Sequence, residues 1–262
     1  MIASLAMHHS HHATIDSTNS EAQRLASRGA KDPIVITADR QTAGRGRNGR
    51  TWQSPLGGAW ISVLWPLDKP IEHYASAPLV AGLATLRAIR RLIEKLQAPH
   101  VPVAQIKWPN DVLLDDRKVA GILCETAQTN GLISHLVIGV GINVDFEMSQ
   151  LHGKLRHPPT TLHAAFRRKV KVGDVVDGFI TQFEILMNRY NDDGLTPGML
   201  RELRSNLAYV GTTRIWSFAD EHLRAEVAGL DPQGRLILRG PGTERVIDYG
   251  ELNAPEAMLA DV

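Results

Sequence analysis

Arginines alternate with glycines in the stretch Gly44 to Arg50, and this stretch carries the strongest chemical signal of the sequence. Its letters match G-x-G-x-x-G. A dinucleotide fingerprint, however, needs a helix directly after the glycines, and Thr51 to Gly58 has the composition of a loop. Glycine lets the backbone approach a ligand closely, and each guanidinium can form forked hydrogen bonds to phosphate or carboxylate oxygens. We therefore predict an anion-binding loop in preference to a solvated basic turn.

A second polar cluster lies in the pentapeptide 107–111, Lys-Trp-Pro-Asn-Asp, at the end of a predicted strand. Pro109 cannot donate to a strand ladder, so the chain is expected to leave the sheet there. Lys107 offers a positive charge for phosphate, while Asn110 and Asp111 offer oxygens suited to Mg²⁺ or to the polar groups of a nucleotide. An Asx turn at Asn110 explains the same residues at least as well.

Two further positions lie on predicted strands. Lys118 follows a tight turn at 115–117 and begins a strand, so its ammonium group could project into a pocket. An ordinary lysine on an edge strand is the alternative. Gly139 and Gly141 interrupt an apolar strand, which indicates the close approach of another group. A ligand and a neighbouring strand both fit this pattern.

The charge balance and the cysteine content exclude several classes of protein. With 29 basic and 28 acidic residues, the net charge of +1 gives no overall field that favours nucleic acid or an anionic membrane. Cys124 is the only cysteine, which excludes an internal disulfide framework and a multi-cysteine zinc site, and its apolar neighbours favour a small buried residue. No stretch reaches the about 18 apolar residues of a membrane span. We predict a soluble cytoplasmic protein.

The apolar periodicity predicts an α+β main unit over residues 14–206, with a mixed, largely antiparallel sheet flanked by helices. A short helix is expected at 17–27, a long one with its apolar face along 79–96, and helical structure from 161 to about 205. The predicted strands cover 34–38, 59–65, 101–108, 112–114, 118–126 and 135–144.

The two ends of the chain are predicted to differ from this main unit. Short segments separated by Gly and Pro turns indicate a small β-barrel over residues 207–262. Residues 1–13 are expected to be disordered, although their histidines could also bind a metal ion; these are His8, His9, His11 and His12.

Five segments of the sequence, by their residues, order and spacing, resemble the biotin protein ligase family. The similarity extends over residues 14 to 250 and is carried by 17–19 (Ser-Thr-Asn), 41–50 (Gln-Thr-Ala-Gly-Arg-Gly-Arg-Asn-Gly-Arg), 107–111, 117–123 (Arg-Lys-Val-Ala-Gly-Ile-Leu) and 139–143 (Gly-Val-Gly-Ile-Asn). The resemblance implies a catalytic domain like that of the class II synthetases, followed by an SH3-like barrel. It implies that biotin is activated with MgATP to biotinyl-5′-AMP and then transferred to a lysine of a biotin carboxyl carrier protein.

The resemblance also implies a role for each matching position. The expected biotin-binding residues are Ser17, Thr18, Asn19, Gln41, Gly44, Arg45, Gly46, Arg47, Lys118, Gly121, Leu123 and Gly141. The expected ATP-binding residues are Arg47, Arg50, Trp52, Lys107, Asn110, Asp111 and Asn143, with Asp111 in the Mg²⁺ region. The expected catalytic residues are Arg45, Arg47, Lys107 and Lys118.

Two departures from the commonest family pattern refine these expectations. Asn48 replaces the second of two adjacent arginines, which lowers the loop charge by one. Only sixteen residues precede Ser17, which favours the monofunctional class without an N-terminal DNA-binding domain and makes DNA an unexpected partner. A lipoate or octanoate ligase and a non-catalytic biotin-binding regulator are the alternatives, and a homodimer is one option for the assembly.

Overall fold

The computed structural model describes residues 7–153, 157–218, 221–240 and 242–252. The strands are β1 (His8–Ile15), β2 (Ile34–Gln41), β3 (Gly58–Pro66), β4 (Ala104–Lys107), β5 (Asp111–Leu114), β6 (Arg117–Thr129), β7 (Leu132–Asn143), β8 (Thr213–Phe218), β9 (Glu221–Leu230), β10 (Leu236–Gly240), β11 (Thr243–Ile247) and β12 (Glu251–Leu252). The helices are α1 (Thr18–Ser27), α2 (Ala77–Leu96), α3 (Leu162–Phe166), α4 (Val172–Asp193) and α5 (Pro197–Ser205).

The main sheet contains seven of these strands in the order β1-β2-β3-β7-β6-β5-β4. All neighbours are antiparallel except β1 and β2, so the sheet is mixed and largely antiparallel as predicted. The short β5–β6 connection follows from Asp115 and Asp116, which both have positive φ, the geometry of a type I′ hairpin. The sequence prediction of a tight turn at this point is confirmed.

The N-terminal segment differs from the prediction of disorder. Within the predicted disordered range of 1–13, residues 8–13 form most of β1, which pairs with β2 in parallel; residues 1–6 lie outside the described part of the chain. The imidazoles of His9 and His11 contact the hydroxyl of Thr37 at 2.8 and 3.0 Å. An edge strand leaves polar side chains in solvent while its backbone is paired, so a histidine-rich composition is compatible with it. The composition alone was therefore a poor guide to order here.

Two helix layers cover the sheet. On one face α2 and α4 pack against it and bury Leu83, Leu86, Phe179 and Phe183. On the other face α1 closes a smaller apolar cluster with Ala22 and Ala26, so α1 is held close to the sheet and its first residues have a fixed position. The predicted helical stretch after residue 161 is divided into α3, α4 and α5. No helix in the described ranges is both long and apolar enough to cross a membrane.

The predicted C-terminal β unit is present as a five-stranded antiparallel sheet, in the order β11-β10-β9-β8-β12. Its β9–β10 turn contacts the main unit, because the indole Nε1 of Trp108 donates to the carbonyl of Gly234 at 3.2 Å. Gly234 has a φ of +79° and lies close to Leu79, so a side chain at 234 would be strained. Residues 253–262 of the predicted barrel lie outside the described part of the chain.

Candidate active site

A cavity of about 430 Å³ lies where the glycine–arginine loop (residues 44–50) meets β6, β7, the β4–β5 connection and β12. Every predicted site residue except Gly44 lines it. These residues are Ser17, Thr18, Asn19, Gln41, Arg45, Gly46, Arg47, Arg50, Trp52, Lys107, Asn110, Asp111, Lys118, Gly121, Leu123, Gly141 and Asn143. Gly44 has a role in the loop itself, because a Cβ there would come within 2.3 Å of the Trp52 carbonyl oxygen.

The cavity also has lining residues that the sequence did not single out for a role. They are Thr51, Gln53, Ile61, Pro109, Ile122, Gly139, Val140, Leu151, His152, His157, Pro159, Glu251 and Leu252. Several are neighbours of predicted residues, and Gly139 belongs to a motif that the sequence displays. Glu251 and Leu252 belong to the C-terminal sheet, and no local pattern in the sequence connects them to the loop.

One end of the cavity is a network of neutral hydrogen-bonding groups. The side-chain oxygen of Gln41 accepts from the backbone N–H of Thr18 at 2.8 Å and from its hydroxyl at 3.1 Å. The Gln41 amide nitrogen donates to Ser54 at 2.8 Å. Thr18 and Ser17 are buried at the start of α1, so these polar groups have fixed positions. They can recognise a ligand that presents both donors and acceptors.

Glycines on β6 and β7 form the floor of this cavity. A Cβ at Gly141 would come within 2.4 Å of the indole nitrogen of Trp52, and a Cβ at Gly139 within 2.2 Å of the Asn19 amide oxygen. The close approach indicated by the sequence is thus made by Trp52, just after the loop, and by Asn19 on α1. The buried Trp52 indole nitrogen has no hydrogen-bond partner among the described residues, so a polar ligand atom could satisfy it.

The opposite end of the cavity is ionic. The carboxylate of Asp111 lies 3.2 Å from the ammonium of Lys107 and 2.6 Å from that of Lys118. Burial by itself would raise the pKa of Asp111, but the two ammonium groups outweigh burial and hold this pKa far below its usual value. Burial also lowers the pKa of Lys107, against the opposing effect of Asp111. Asp111 therefore stays anionic and compensates the buried ammonium of Lys107 and the partly exposed ammonium of Lys118.

The predicted placement of Asp111 in a Mg²⁺ site does not fit this geometry. Both of its oxygens face ammonium groups, and the neighbouring Asn110 is also occupied, since it accepts from Arg47 at 3.1 Å and donates to the carbonyl of Ile122 at 2.8 Å. In the part of the chain that the structure describes, no group of three or more His, Cys, Asp or Glu could hold a metal ion. The sequence could not reveal that two lysines converge on this carboxylate.

The glycine–arginine loop is tied to the rest of the protein through its arginines. Arg45 donates to Glu125 at 2.8 Å, Arg47 contacts Asn110 and the carbonyl of Gly250, and Arg50 forms an ion pair with Glu251. The departure at Asn48 has a backbone explanation, because this residue has φ +56° and ψ +40°. Asparagine adopts this left-handed conformation more readily than most residues.

Two titratable groups near the cavity are held neutral. Burial, supported by the charge of Lys107, lowers the pKa of the His157 imidazole to about 4. Burial, supported by the charge of Glu125, raises the pKa of the Cys124 thiol to about 12. A thiol with such a pKa is not a nucleophile near neutral pH. Cys124 packs against the main core but is partly buried, whereas the sequence predicted a buried residue. The chemistry of the cavity therefore rests on its cations and hydrogen bonds.

Comparison with known proteins agrees with this arrangement. The model of the biotin/lipoate A/B protein ligase family matches residues 12–143. The chain belongs to this family. A biotin–[acetyl-CoA-carboxylase] ligase from Mycobacterium tuberculosis is 40% identical over 246 residues, with 92% of this chain and 86% of that protein covered. The ligase of the same name from Paracoccus denitrificans is 31% identical, with 92% and 98% covered.

The solved structures show the same fold. The biotin protein ligase from Aquifex aeolicus in complex with biotin and ATP superposes with a TM-score of 0.78 at 24% identity, over 94% of this chain and 97% of that one. The family match at residues 12–143 contains every residue that the sequence predicted for the site. Six lining residues lie beyond the matched range: Leu151, His152, His157, Pro159, Glu251 and Leu252.

Proposed function

We propose that this chain is a biotin protein ligase, which joins biotin to AMP using ATP and then transfers the biotinyl group to a lysine of a biotin carboxyl carrier protein. The observation that carries the proposal is one cavity with a neutral hydrogen-bonding end and an ionic end, lined mostly by the segment that matches the family. The neutral end suits the ureido head group of biotin, which presents both N–H donors and a carbonyl acceptor. The ionic end suits a carboxylate beside the phosphates of ATP.

In the first step of the proposed reaction, a biotin carboxylate oxygen attacks the α-phosphorus of ATP. A new P–O bond forms, the bond to the β-phosphate breaks, and pyrophosphate leaves. Negative charge grows on the phosphate oxygens, so preorganised cations would lower the barrier. Lys118, Lys107 and the loop arginines are the groups placed for this role. The described residues include no group of three or more His, Cys, Asp or Glu that could hold a metal ion, so we propose that a magnesium ion would enter on the ATP phosphates.

In the second step of the proposed reaction, the amine of the carrier lysine attacks the acyl carbon of the adenylate. An amide bond forms, AMP leaves, and the amine loses a proton. The protein must keep water away from the mixed anhydride until the carrier arrives. The glycine–arginine loop is suited to this, since it covers the cavity and is bonded to β6, the β4–β5 connection and β12. No covalent intermediate with the enzyme is required.

We also propose the division of the chain into a catalytic unit ending at residue 206 and a C-terminal unit from residue 207. The main sheet and α1 to α5 end before Asn206, and β8 begins at Thr213, which supports this boundary. The cytoplasm is the compartment that fits the single cysteine. The net charge of +1 does not favour DNA as a partner.

A direct comparison of ligands and acceptors tests the proposal, since the family includes lipoate ligases as well as biotin ligases. Calorimetric titration should show binding of biotin and little or no binding of lipoate. Incubation with radiolabelled biotin, ATP and a carrier domain should then label the carrier. Binding of lipoate in preference to biotin, or a carrier that stays unlabelled, would contradict the proposal.

A further inference from the structure

A chain of hydrogen bonds joins the glycine–arginine loop to the neutral end of the cavity through a residue that does not line it. One carboxylate oxygen of Glu125, on β6, accepts from Arg45 at 2.8 Å and from the side-chain amide of Asn19 at 2.7 Å. Arg45 belongs to the loop and Asn19 to the first turn of α1, and both line the cavity. Glu125 therefore bridges two parts of the site from outside.

The chain continues beyond Asn19. The hydroxyl of Ser62 is fully buried on β3 and lies within hydrogen-bond distance of the Asn19 amide oxygen, at 2.5 Å, and of the Thr18 hydroxyl, at 2.7 Å. Thr18 in turn contacts Gln41, which donates to Ser54. Ser54 donates to the carbonyl of Trp52 at 3.1 Å, just after the loop. Both sides of the loop are thus connected to the same network.

The close approach of Asn19 to β7 is a requirement of this network. Only a glycine at 139 leaves room for the Asn19 amide, since a Cβ there would collide with the amide oxygen at 2.2 Å. The bond between Arg45 and Glu125 is charge-assisted and partly screened, because these side chains are 38% and 26% exposed. It can therefore break and re-form when the loop moves, while Asn19 stays buried.

We propose that Glu125 is a positioning residue that couples a ligand at the neutral end to closure of the glycine–arginine loop. This inference rests on the proposed ligase function and adds a residue to it. A ligand bound by Thr18 lies on the same hydrogen-bond network as Asn19, which holds the carboxylate that receives Arg45. The closed loop then retains the adenylate. Without the carboxylate, Arg45 loses its anchor and the Asn19 amide loses its best acceptor.

The test measures the rate at which the acyl-adenylate leaves the enzyme. Glu125→Ala should raise this rate about tenfold, the effect of losing a hydrogen bond between charged groups. Glu125→Gln, which keeps one acceptor oxygen for Asn19, should lie between Glu125→Ala and the wild type. The matched control is Glu221→Ala, which removes an exposed ion pair with Arg245 at 2.6 Å on the C-terminal sheet. It should leave the release rate unchanged.

A double-mutant cycle separates positioning from a general structural effect. If Glu125 acts through Arg45, Glu125→Ala should add little to the release rate in an Arg45→Ala background. Fully additive effects, or an unchanged release rate in Glu125→Ala, would overturn the inference.

Trypsin provides a second measurement that needs no substrate, since it cleaves after arginine. In the ligand-free protein, Glu125→Ala should be cut faster at Arg45 and Arg47 than Glu221→Ala. Equal cleavage would contradict the anchoring role of Glu125. Failure of the wild type to form biotinyl-adenylate would instead contradict the proposed function, and the cleavage result would still stand.

Discussion

At one end of the cavity the neutral side chain of Thr18 contacts Gln41 directly and Asn19 through the hydroxyl of Ser62. At the other end Lys107 and Lys118 converge on Asp111. The neutral network is complete before a ligand arrives, so it selects by shape and by the pattern of donors and acceptors. The cations are compensated by protein carboxylates, so an anionic ligand has to compete with those carboxylates or share the cations with them. The neutral end should govern which acid binds, and the ionic end should govern how fast it reacts.

The largest expected effect is on the rate of adenylate formation, and it distinguishes the ionic end of the cavity from the neutral end. Lys118→Ala should lower the turnover number for adenylate formation about 100-fold or more, because a cation at the reacting phosphate is lost. The affinity for biotin alone should change much less. Stopped-flow and calorimetric measurements check these two quantities. The control, Lys95→Ala, removes an exposed lysine paired with Asp174 and should leave both unchanged. Equal losses of rate and biotin affinity in Lys118→Ala would remove the distinction between the ends.

Asp111→Asn tests whether the Asp111 carboxylate is a counter-ion of the two lysines or a ligand of a metal ion. Leaving the buried ammonium of Lys107 and the partly exposed ammonium of Lys118 without their counter-ion should lower the free energy of unfolding by about 3 kcal/mol. The Mg²⁺ concentration for half-maximal activity should stay the same, since Asp111 is not assigned as a ligand. Denaturant unfolding and a magnesium titration provide the two values. A large rise in the Mg²⁺ requirement with unchanged stability would restore the metal-ligand role.

The same carboxylate gives a pH dependence with a definite sign. Its pKa in the folded protein is depressed below the ordinary value of 3.8, so the unfolded chain binds its proton first as the pH falls. The stabilisation is fully present above about pH 4 and is lost as the pH falls further, through the depressed pKa of the folded state. The free energies of unfolding of the wild type and of Asp111→Asn should therefore converge as the pH falls. A constant difference over this range would contradict the assignment.

Gly139→Ala addresses the neutral end and should have a smaller effect. The new methyl group would displace the Asn19 amide, which should lower the free energy of unfolding by about 2 kcal/mol and weaken biotin binding. The affinity for ATP should be nearly unchanged. Gly82→Ala is the matched control, because a Cβ at this position on α2 meets no atom closer than 3.8 Å and alanine favours a helix. Loss of ATP binding in Gly139→Ala would show that the neutral and ionic ends of the cavity do not have separate roles.

The smallest expected effect concerns Cys124. Its thiol has a pKa raised to about 12 by burial, so labelling by iodoacetamide at pH 8 should be much slower in the native protein than in the denatured one. Cys124→Ala should keep most of the ligase activity. Rapid labelling of the native protein, with loss of activity, would indicate a role that the structure does not assign.

Short sequence patterns were sufficient to predict much of the fold and to select site residues of which nearly all line one cavity. The glycine–arginine loop, the turn at Asp115 and Asp116 and the glycines on β7 each follow from a short stretch of sequence, and the structure brings them to one cavity. The structure of β1 could not be predicted in this way. Its order depends on pairing with β2, which the histidine-rich composition conceals.

The residues that were missed depend on contacts between distant segments. Glu125 is one charged residue of a long strand, and its importance appears only when Arg45 and Asn19 meet on it. Glu251 is separated from Arg50 by most of the chain, yet the two form an ion pair. The metal role predicted for Asp111 came from the types of residue at 107–111, and the sequence could not show that two ammonium groups converge on this carboxylate.

The most direct test of the account is biotin-dependent exchange of labelled pyrophosphate into ATP by the purified chain. The reaction requires both ends of the cavity at once and does not require the carrier protein. The account predicts exchange with biotin, much less with lipoate, and almost none with biotin in Lys118→Ala. Absence of exchange by the wild type with biotin, or exchange of equal rate in Lys118→Ala, would contradict it.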